Sequence, residues 1–265
     1  MALRDFFAAL IASHRVWVGS YCSCEPFYMR RRAVKALIAL TSVVSFLMVT
    51  LPGPLYQYAG VNLGTAFALI RSGVYVGGAA LILIILQVLL KRKSVNWGST
   101  TLFAILALVA VAMPLSMASK ASTVPPIHDI TTHVTNPPEF VAIAPLRKDA
   151  PNPITYEGGE VTRQQLDAYP EIKTQRLPQP INEVYMAAEK AIESLGWERV
   201  SAGEQPDTLE ATDTTTWFGF KDDVVIRLTA QGDDTLVDMR SKSRVGRSDL
   251  GKNAERINQF FAELR

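Results

Sequence analysis

The 265-residue chain carries 27 Lys and Arg against 25 Asp and Glu, and this near balance hides a division close to Lys120. Residues 1–120 hold eleven cations against two acids, Asp5 and Glu25, whereas residues 121–265 hold sixteen against twenty-three. The acidic second half is poorly suited to nucleic acid, and because both cysteines, Cys22 and Cys24, lie in the first half, no disulfide can form in the second.

Residues 1–32 read as a cytoplasmic segment in which Phe6, Phe7, Ile11, Val16 and Trp17 suit a helix lying in the membrane interface. Cys22 and Cys24 have no further Cys or His nearby and read as plain juxtamembrane cysteines rather than metal ligands or a lipidation site. Three apolar runs follow within residues 33–120: Ala33 to Leu51, Leu63 to Leu90 and Thr101 to Ala118. Each approaches the roughly 20 residues that a helix needs to cross the hydrocarbon core, and none contains an acid. Arg71 in the second run can snorkel to the nearer interface. The first run begins after about thirty residues and ends in Pro-Gly-Pro, which fits a retained span better than a signal peptide. Arg30, Arg31, Arg32 and Lys35 precede the first span, Lys91, Arg92 and Lys93 join the second to the third, and the Pro52 to Asn62 loop is uncharged. Cytoplasmic flanks collect Lys and Arg, so three crossings put everything after Lys120 in the periplasm of a bacterial inner membrane.

Residues 121–180 contain ten prolines from Pro125 to Pro180 and no sustained helical period, which predicts an extended segment. Regular structure is expected over 181–265. Ile181, Val184, Tyr185, Ala188, Ala191, Ile192 and Leu195 form an amphipathic stripe, with Pro180 at the first turn and Gly196 at the C-terminal cap. Strands are expected near Trp197 to Ser201, Thr208 to Phe218, Asp222 to Ala230 and Thr235 to Arg244. A two-residue turn at Gly232 and Asp233 would pair Leu228 with Val237 and Ile226 with Met239 on an apolar face. On the other face it sets Arg227 against Asp238 and Asp223 against Lys242. Leu250, Ala254, Ile257, Phe261 and Leu264 mark a closing helix, capped by Ser248 or Asp249. The expected fold is an α-helical membrane region of three transmembrane helices, followed by a two-layer α+β domain with an antiparallel sheet and two packed helices.

The stretches IHDITTHVTNPPEF (Ile127 to Phe140), LGW (Leu195 to Trp197), WFGFKDDVVIRL (Trp217 to Leu228) and VDMRSKSRVGRSDLGKNAERI (Val237 to Ile257) together resemble domain of unknown function 1499. The uncharged GPLYQYAG loop is similar to membrane-anchored bacterial members. The resemblance implies an envelope address and no established activity. This chain has His133 where the family pattern has Asp, so that position carries no claim to one essential role.

The candidate sites are few. His128, Asp129 and His133 are chemically able to act as metal ligands or as an acid-base pair, and the bland reading is a segment docked by side-chain hydrogen bonds. Asp222 and Asp223 are adjacent, point to opposite faces of a strand and cannot form a carboxylate dyad. Trp217, Phe218 and Phe220 read as core in preference to a ligand pocket. From Arg240 to Gly251 four cations precede a helix start, where unpaired N–H groups favour anions. Arg244, Gly246, Arg247 and Ser248 are the anion-binding candidates, against a solvated strand face with Lys242 satisfied by Asp223. No nucleophile elbow, phosphate loop or dinucleotide pattern occurs, and no metal or cofactor is expected. The reading is a binding or assembly module whose partners are membrane lipids and an anionic ligand or envelope protein. The rival is an envelope hydrolase using His128 and Asp129 with Asp222.

Overall fold

The computed structural model describes residues 25–201 and 205–264, which fall into two compact units. The expectations for Phe6, Phe7, Ile11, Val16, Trp17, Cys22 and Cys24 lie outside the described residues. One unit comprises the described part of Met1–Met48 with Ser72–Val111, and the other Val49–Arg71 with Ala112–Arg265.

Most of three long helices makes up the first unit: α1 (Glu25–Thr50), α3 (Leu63–Lys91) and α4 (Trp97–Ala121), each apolar and long enough to cross a membrane. Exposed Leu40, Ile82, Leu89 and Leu90 give them the outward apolar surface that lipid requires. Small residues bring the backbones together. A side chain at Gly77 would sit 2.6 Å from Ser45 Oγ and 2.9 Å from Val111, and the Ser45 hydroxyl donates to the Gly73 carbonyl at 2.8 Å.

The second unit contains the Pro52 to Asn62 stretch, which is not an open loop: Pro52–Ala59 forms a short helix, α2, with Pro in its first turn and left-handed Gly60 as its C-cap. Beyond Lys120 lies an antiparallel sheet of β1 (Asp129–Thr131), β2 (Gln175–Leu177), β3 (Glu198–Arg199), β4 (Thr208–Thr214), β5 (Lys221–Gln231) and β6 (Asp234–Ser243). The order is β1-β6-β5-β4-β3, with β2 also on β6. The hairpin has the expected register: Leu228 faces Val237, Ile226 faces Met239, and Gly232 takes φ +66° at the first turn position. Helices α6 (Ile181–Ser194) and α7 (Lys252–Glu263) bury Val184, Ala188, Ile257 and Phe260 against Leu209, Val224, Ile226 and Met239. This is the expected antiparallel sheet with two packed helices.

The stretch from Pro125 to Pro180 departs from the extended reading. It includes α5 (Gly159–Ala168), a 3-10 turn at Ala144–Arg147, and both β1 and β2. Gln165 explains why α5 docks, since its side chain accepts from Thr131 N–H at 3.0 Å and donates to Thr131 O at 2.6 Å. A ten-residue helix with one buried contact leaves little period to read from sequence. The run around residues 138–155 covers the sheet face opposite the helices, where Phe140 and Ile143 pack on Val225.

Strand β4 stops at Thr214, short of the aromatic residues, and Thr215 to Phe220 turn back with Gly219 at φ +66°. Trp217 Nε1 donates to the carbonyl of Thr50, the last residue of α1, at 3.0 Å. Phe218 stacks on Phe220 at 4.9 Å and meets Tyr56 at 5.9 Å and Phe67 at 5.8 Å. A Cβ on Gly53 would fall 2.5 Å from Trp217, so only glycine allows α2 to lie under the indole. Gly53→Ala is therefore expected to cost about 1–3 kcal/mol of overpacking. Thermal unfolding of the detergent-purified full chain, followed by near-ultraviolet circular dichroism, reads this as a lower Tm and a weaker aromatic signal; no change in either would show that the contact is dispensable.

Candidate functional site

Alternation along β6 sends Met239, Ser241 and Ser243 towards the helices and Asp238, Arg240, Lys242 and Arg244 to the opposite face. That second face is not solvated: Arg240 is 2% exposed and Lys242 fully buried. Burying two cations demands counter-charges, and β1 supplies one because its register sets Asp129 beside Lys242. Asp129 Oδ1 accepts from Arg240 Nε at 2.9 Å, and Oδ2 accepts from Arg240 Nη2 and Lys242 Nζ, both at 2.8 Å.

A second carboxylate, Asp223 of β5, lies opposite Lys242 in register as expected, yet it does not hold that lysine. Its oxygens are filled by Arg147 from the 3-10 turn, by Arg244 through Nε at 2.9 Å and Nη2 at 2.8 Å, and by the Thr212 hydroxyl at 2.8 Å. The bidentate fork of Arg244, joined by a single Nη1 bond from Arg147, matches this carboxylate better than an ammonium does. The expected pair Arg227 with Asp238 forms at 2.7 Å.

Four cations thus share two carboxylates, and backbone carbonyls take several of the remaining donors, although the buried Arg147 Nε has no partner. Lys242 Nζ donates to Thr155 O at 3.0 Å, Arg240 to Ile154 O at 2.9 Å, and Arg147 to Lys242 O and Ser243 O at 3.2 Å. The Arg240 guanidinium also lies over the rings of Phe140 and Tyr156, at 5.0 and 5.4 Å. Glu210 adds a clamp, its oxygens accepting from the N–H groups of Val141, Ala142 and Ile143 at 2.8–2.9 Å. Burial lowers the pKa of the Arg147 guanidinium and of the Lys242 ammonium, against the opposing pull of Asp223 and Asp129 respectively.

The remaining sequence candidates are dispersed. His128 points away from its neighbour Asp129, with Nε2 at 3.6 Å from Glu157 Oε1, and His133 accepts a turn-closing bond from Asn136 N–H at 3.1 Å. Asp222 faces the helices, where Arg256 holds it at 2.8 Å. His128, Asp129 and Asp222 therefore do not converge, and among the described residues no three of His, Cys, Asp and Glu gather as metal ligands would.

The basic stretch is likewise committed. Arg244 is bound to Asp223, the Gly246 carbonyl accepts from Asn152 at 2.9 Å, Ser248 Oγ accepts from Leu250 N–H at 3.2 Å, and Arg247 is exposed. The helix start is already occupied by Asp249, whose oxygens accept from Gly251 N–H at 2.7 Å and Asn253 N–H at 2.8 Å. The N-cap position itself is Gly251 at φ +78°, rather than Ser248 or Asp249. Arg147, Glu210 and Arg256 escape sequence reasoning, although Glu210 alternates with Leu209 and Ala211 and so could be placed on the polar face. Beside Arg244 opens a cleft of about 470 Å³, whose walls include Tyr56, Leu63, Leu146, Asp149 and Pro151, all within the second unit.

Three helices long and apolar enough to cross a membrane, followed by an α+β domain with a buried charge network, define the class. The chain belongs to the family described as Protein of unknown function (DUF1499), which matches residues 129–264, just over half of the sequence. No curated protein matches it. Among solved structures, CalU16 from Micromonospora echinospora is similar at 17% identity and a TM-score of 0.26, over 34% of this chain and 72% of that one.

Removing either end of the Asp129 network has unequal consequences. Asp129→Asn strands two buried cations and is expected to cost about 3–5 kcal/mol, whereas Lys242→Met leaves Asp129 with Arg240 and should cost less than half of that. Chemical denaturation of the full chain in detergent compares them, and equal losses would count against the network as drawn. The pH dependence has a definite sign. Because burial lowers the Lys242 pKa, the unfolded chain binds the proton more readily between that value and about 10.4. Wild-type stability relative to Lys242→Met should therefore rise with pH across that window and level off above it; a relative fall would contradict the desolvated lysine.

Proposed function

We propose that the chain is a membrane-anchored periplasmic module of the bacterial inner membrane that binds or assembles envelope components against the bilayer. Three spans act as the tether, and the domain holds an envelope lipid, an anionic ligand or a protein partner. The observation that carries this reading is the seating of the Trp217 to Phe220 turn on Thr50, Gly53 and Tyr56, which fixes the domain beside the end of a membrane-length helix. Tryptophan and tyrosine favour that depth, where an apolar body and a polar tip are both satisfied. The orientation is supported by Arg30, Arg31, Arg32 and Lys35 before the first span and by Lys91 to Lys93 between the second and third.

The chemistry favours holding over catalysis. Asp129 and Asp223 are buried and each carries two cations, so the oxygens of neither are open to a substrate or a metal. The network reads as a scaffold that stiffens the sheet face.

The test uses the two native cysteines and one added at the exposed hairpin turn, Asp233→Cys. In intact cells a membrane-impermeant maleimide is expected to label the new cysteine, with Cys22 and Cys24 labelled only after permeabilisation. The reverse pattern would overturn the orientation. A photo-reactive residue replacing exposed Lys148 should then yield a lipid or envelope-protein adduct, and its absence would count against a binding role.

A further inference from the structure

The cleft beside Arg244 combines apolar walls, opposite charges and a position at a span end. One wall is Tyr56 of α2 and Leu63, the first residue of α3, so it is built from the short link between two membrane-length helices. The other is Leu146, Asp149, Pro151 and Arg244, and both walls belong to one compact unit. Resting on the membrane-anchored reading above, we propose that this cleft receives the headgroup of a zwitterionic aminophospholipid from the adjoining leaflet, its phosphate against Arg244 and its ammonium against Asp149.

Four observations converge on that occupant. Arg147 and Arg244 share the single carboxylate of Asp223, which leaves one positive charge over, and of the two only Arg244 reaches the surface, at 14% exposed against 2%. Four of the five N–H groups of Arg244 have partners in Asp223, Thr212 and Leu146 O, so one Nη1 donor remains for a phosphate oxygen. Asp149 is exposed on the same cleft, where it would repel a purely anionic headgroup and attract an ammonium. Leu146 is 54% exposed despite its size, and with Leu63 and Pro151 it offers the apolar contact that a glycerol backbone and first methylenes need. A free phosphate satisfies none of the last two features, and a protein partner has no claim on a cleft opening beside the first turn of a span.

The experiment is native mass spectrometry of the detergent-purified full chain titrated with phosphatidylethanolamine, phosphatidylcholine and phosphatidylglycerol. Phosphatidylethanolamine is expected to bind most tightly, because only its primary ammonium can donate hydrogen bonds to Asp149. Asp149→Asn removes an exposed charge with no structural partner and should weaken that lipid about fivefold while leaving phosphatidylglycerol unchanged or tighter. Leu146→Glu, which sets a carboxylate at the cleft, should weaken all three. Tighter binding of phosphatidylglycerol, an indifferent Asp149→Asn variant, or competition by soluble phosphoethanolamine as strong as by the lipid would each overturn the proposal. The reading beneath it fails separately, in the labelling of Asp233→Cys: a correctly oriented chain without headgroup preference overturns the cleft alone.

Discussion

Burial of charge on the second face of the sheet is the constraint from which the domain's architecture follows. Arg240 and Lys242 alternate with residues that must face the helices, so β6 cannot turn them to water without also turning Val237 and Met239 out of the core. Ions of this size lose several kcal/mol each on leaving water, and only close carboxylates with good geometry recover that loss. Asp129 and Asp223 supply them from the strands on either side of β6. The pairing of β1 with β6 is therefore chemical as well as topological: slip the register by one residue and Asp129 would point into the apolar layer.

Two carboxylates do not complete four cations, and the shortfall explains the fold of the preceding segment. The run from Pro138 to Thr155 is rich in proline and poor in regular hydrogen bonding, so its carbonyls are free to turn inward onto Arg147, Arg240 and Lys242. Glu210 works in the opposite sense, taking three backbone N–H groups of the same run that would otherwise be buried without partners. Segment and sheet thus satisfy each other's polar groups. Asp129 and Lys242 lie more than a hundred residues apart, so neither surface is complete until that long loop has closed.

These relations mark where sequence reading stops. The three long apolar helices, the β5–β6 hairpin to the residue, and helices α6 and α7 are legible because each carries a local run or period of apolar residues or a turn with glycine at a required position. Helix α5 was not, because its single buried anchor is the polar Gln165, which no apolar stripe reveals. The charges of β6 were placed on the correct face, but their burial was not visible, since exposure depends on a cover made of irregular chain. Register alone matches Lys242 with Asp223 opposite it, yet two arginines outcompete it there. Arg147 is invisible for a related reason: an isolated cation in a proline-rich stretch carries no signal until the carboxylate it reaches is known. The Arg244 to Ser248 cluster is sequence-adjacent but not convergent, because Asp249 fills the helix start.

Asp223 links the architecture to the surface. Charge neutrality inside the network would need one cation for this carboxylate, and the structure gives it two, one sealed and one at the edge of the cleft. The sealed arginine fixes the carboxylate, which in turn fixes the fork of Arg244, so the outward cation is held by a bidentate pair rather than by a flexible stem. A fixed cation loses little freedom on meeting an anion, in contrast to a surface lysine or the exposed Arg247. The same rigidity extends to the opposite wall, since Tyr56 packs on Phe218 and Phe220 and α2 is pinned beneath Trp217. A network that looks only structural therefore sets the position of one charge at the base of a membrane-length helix, and that placement is the form in which a buried scaffold can influence what the domain holds.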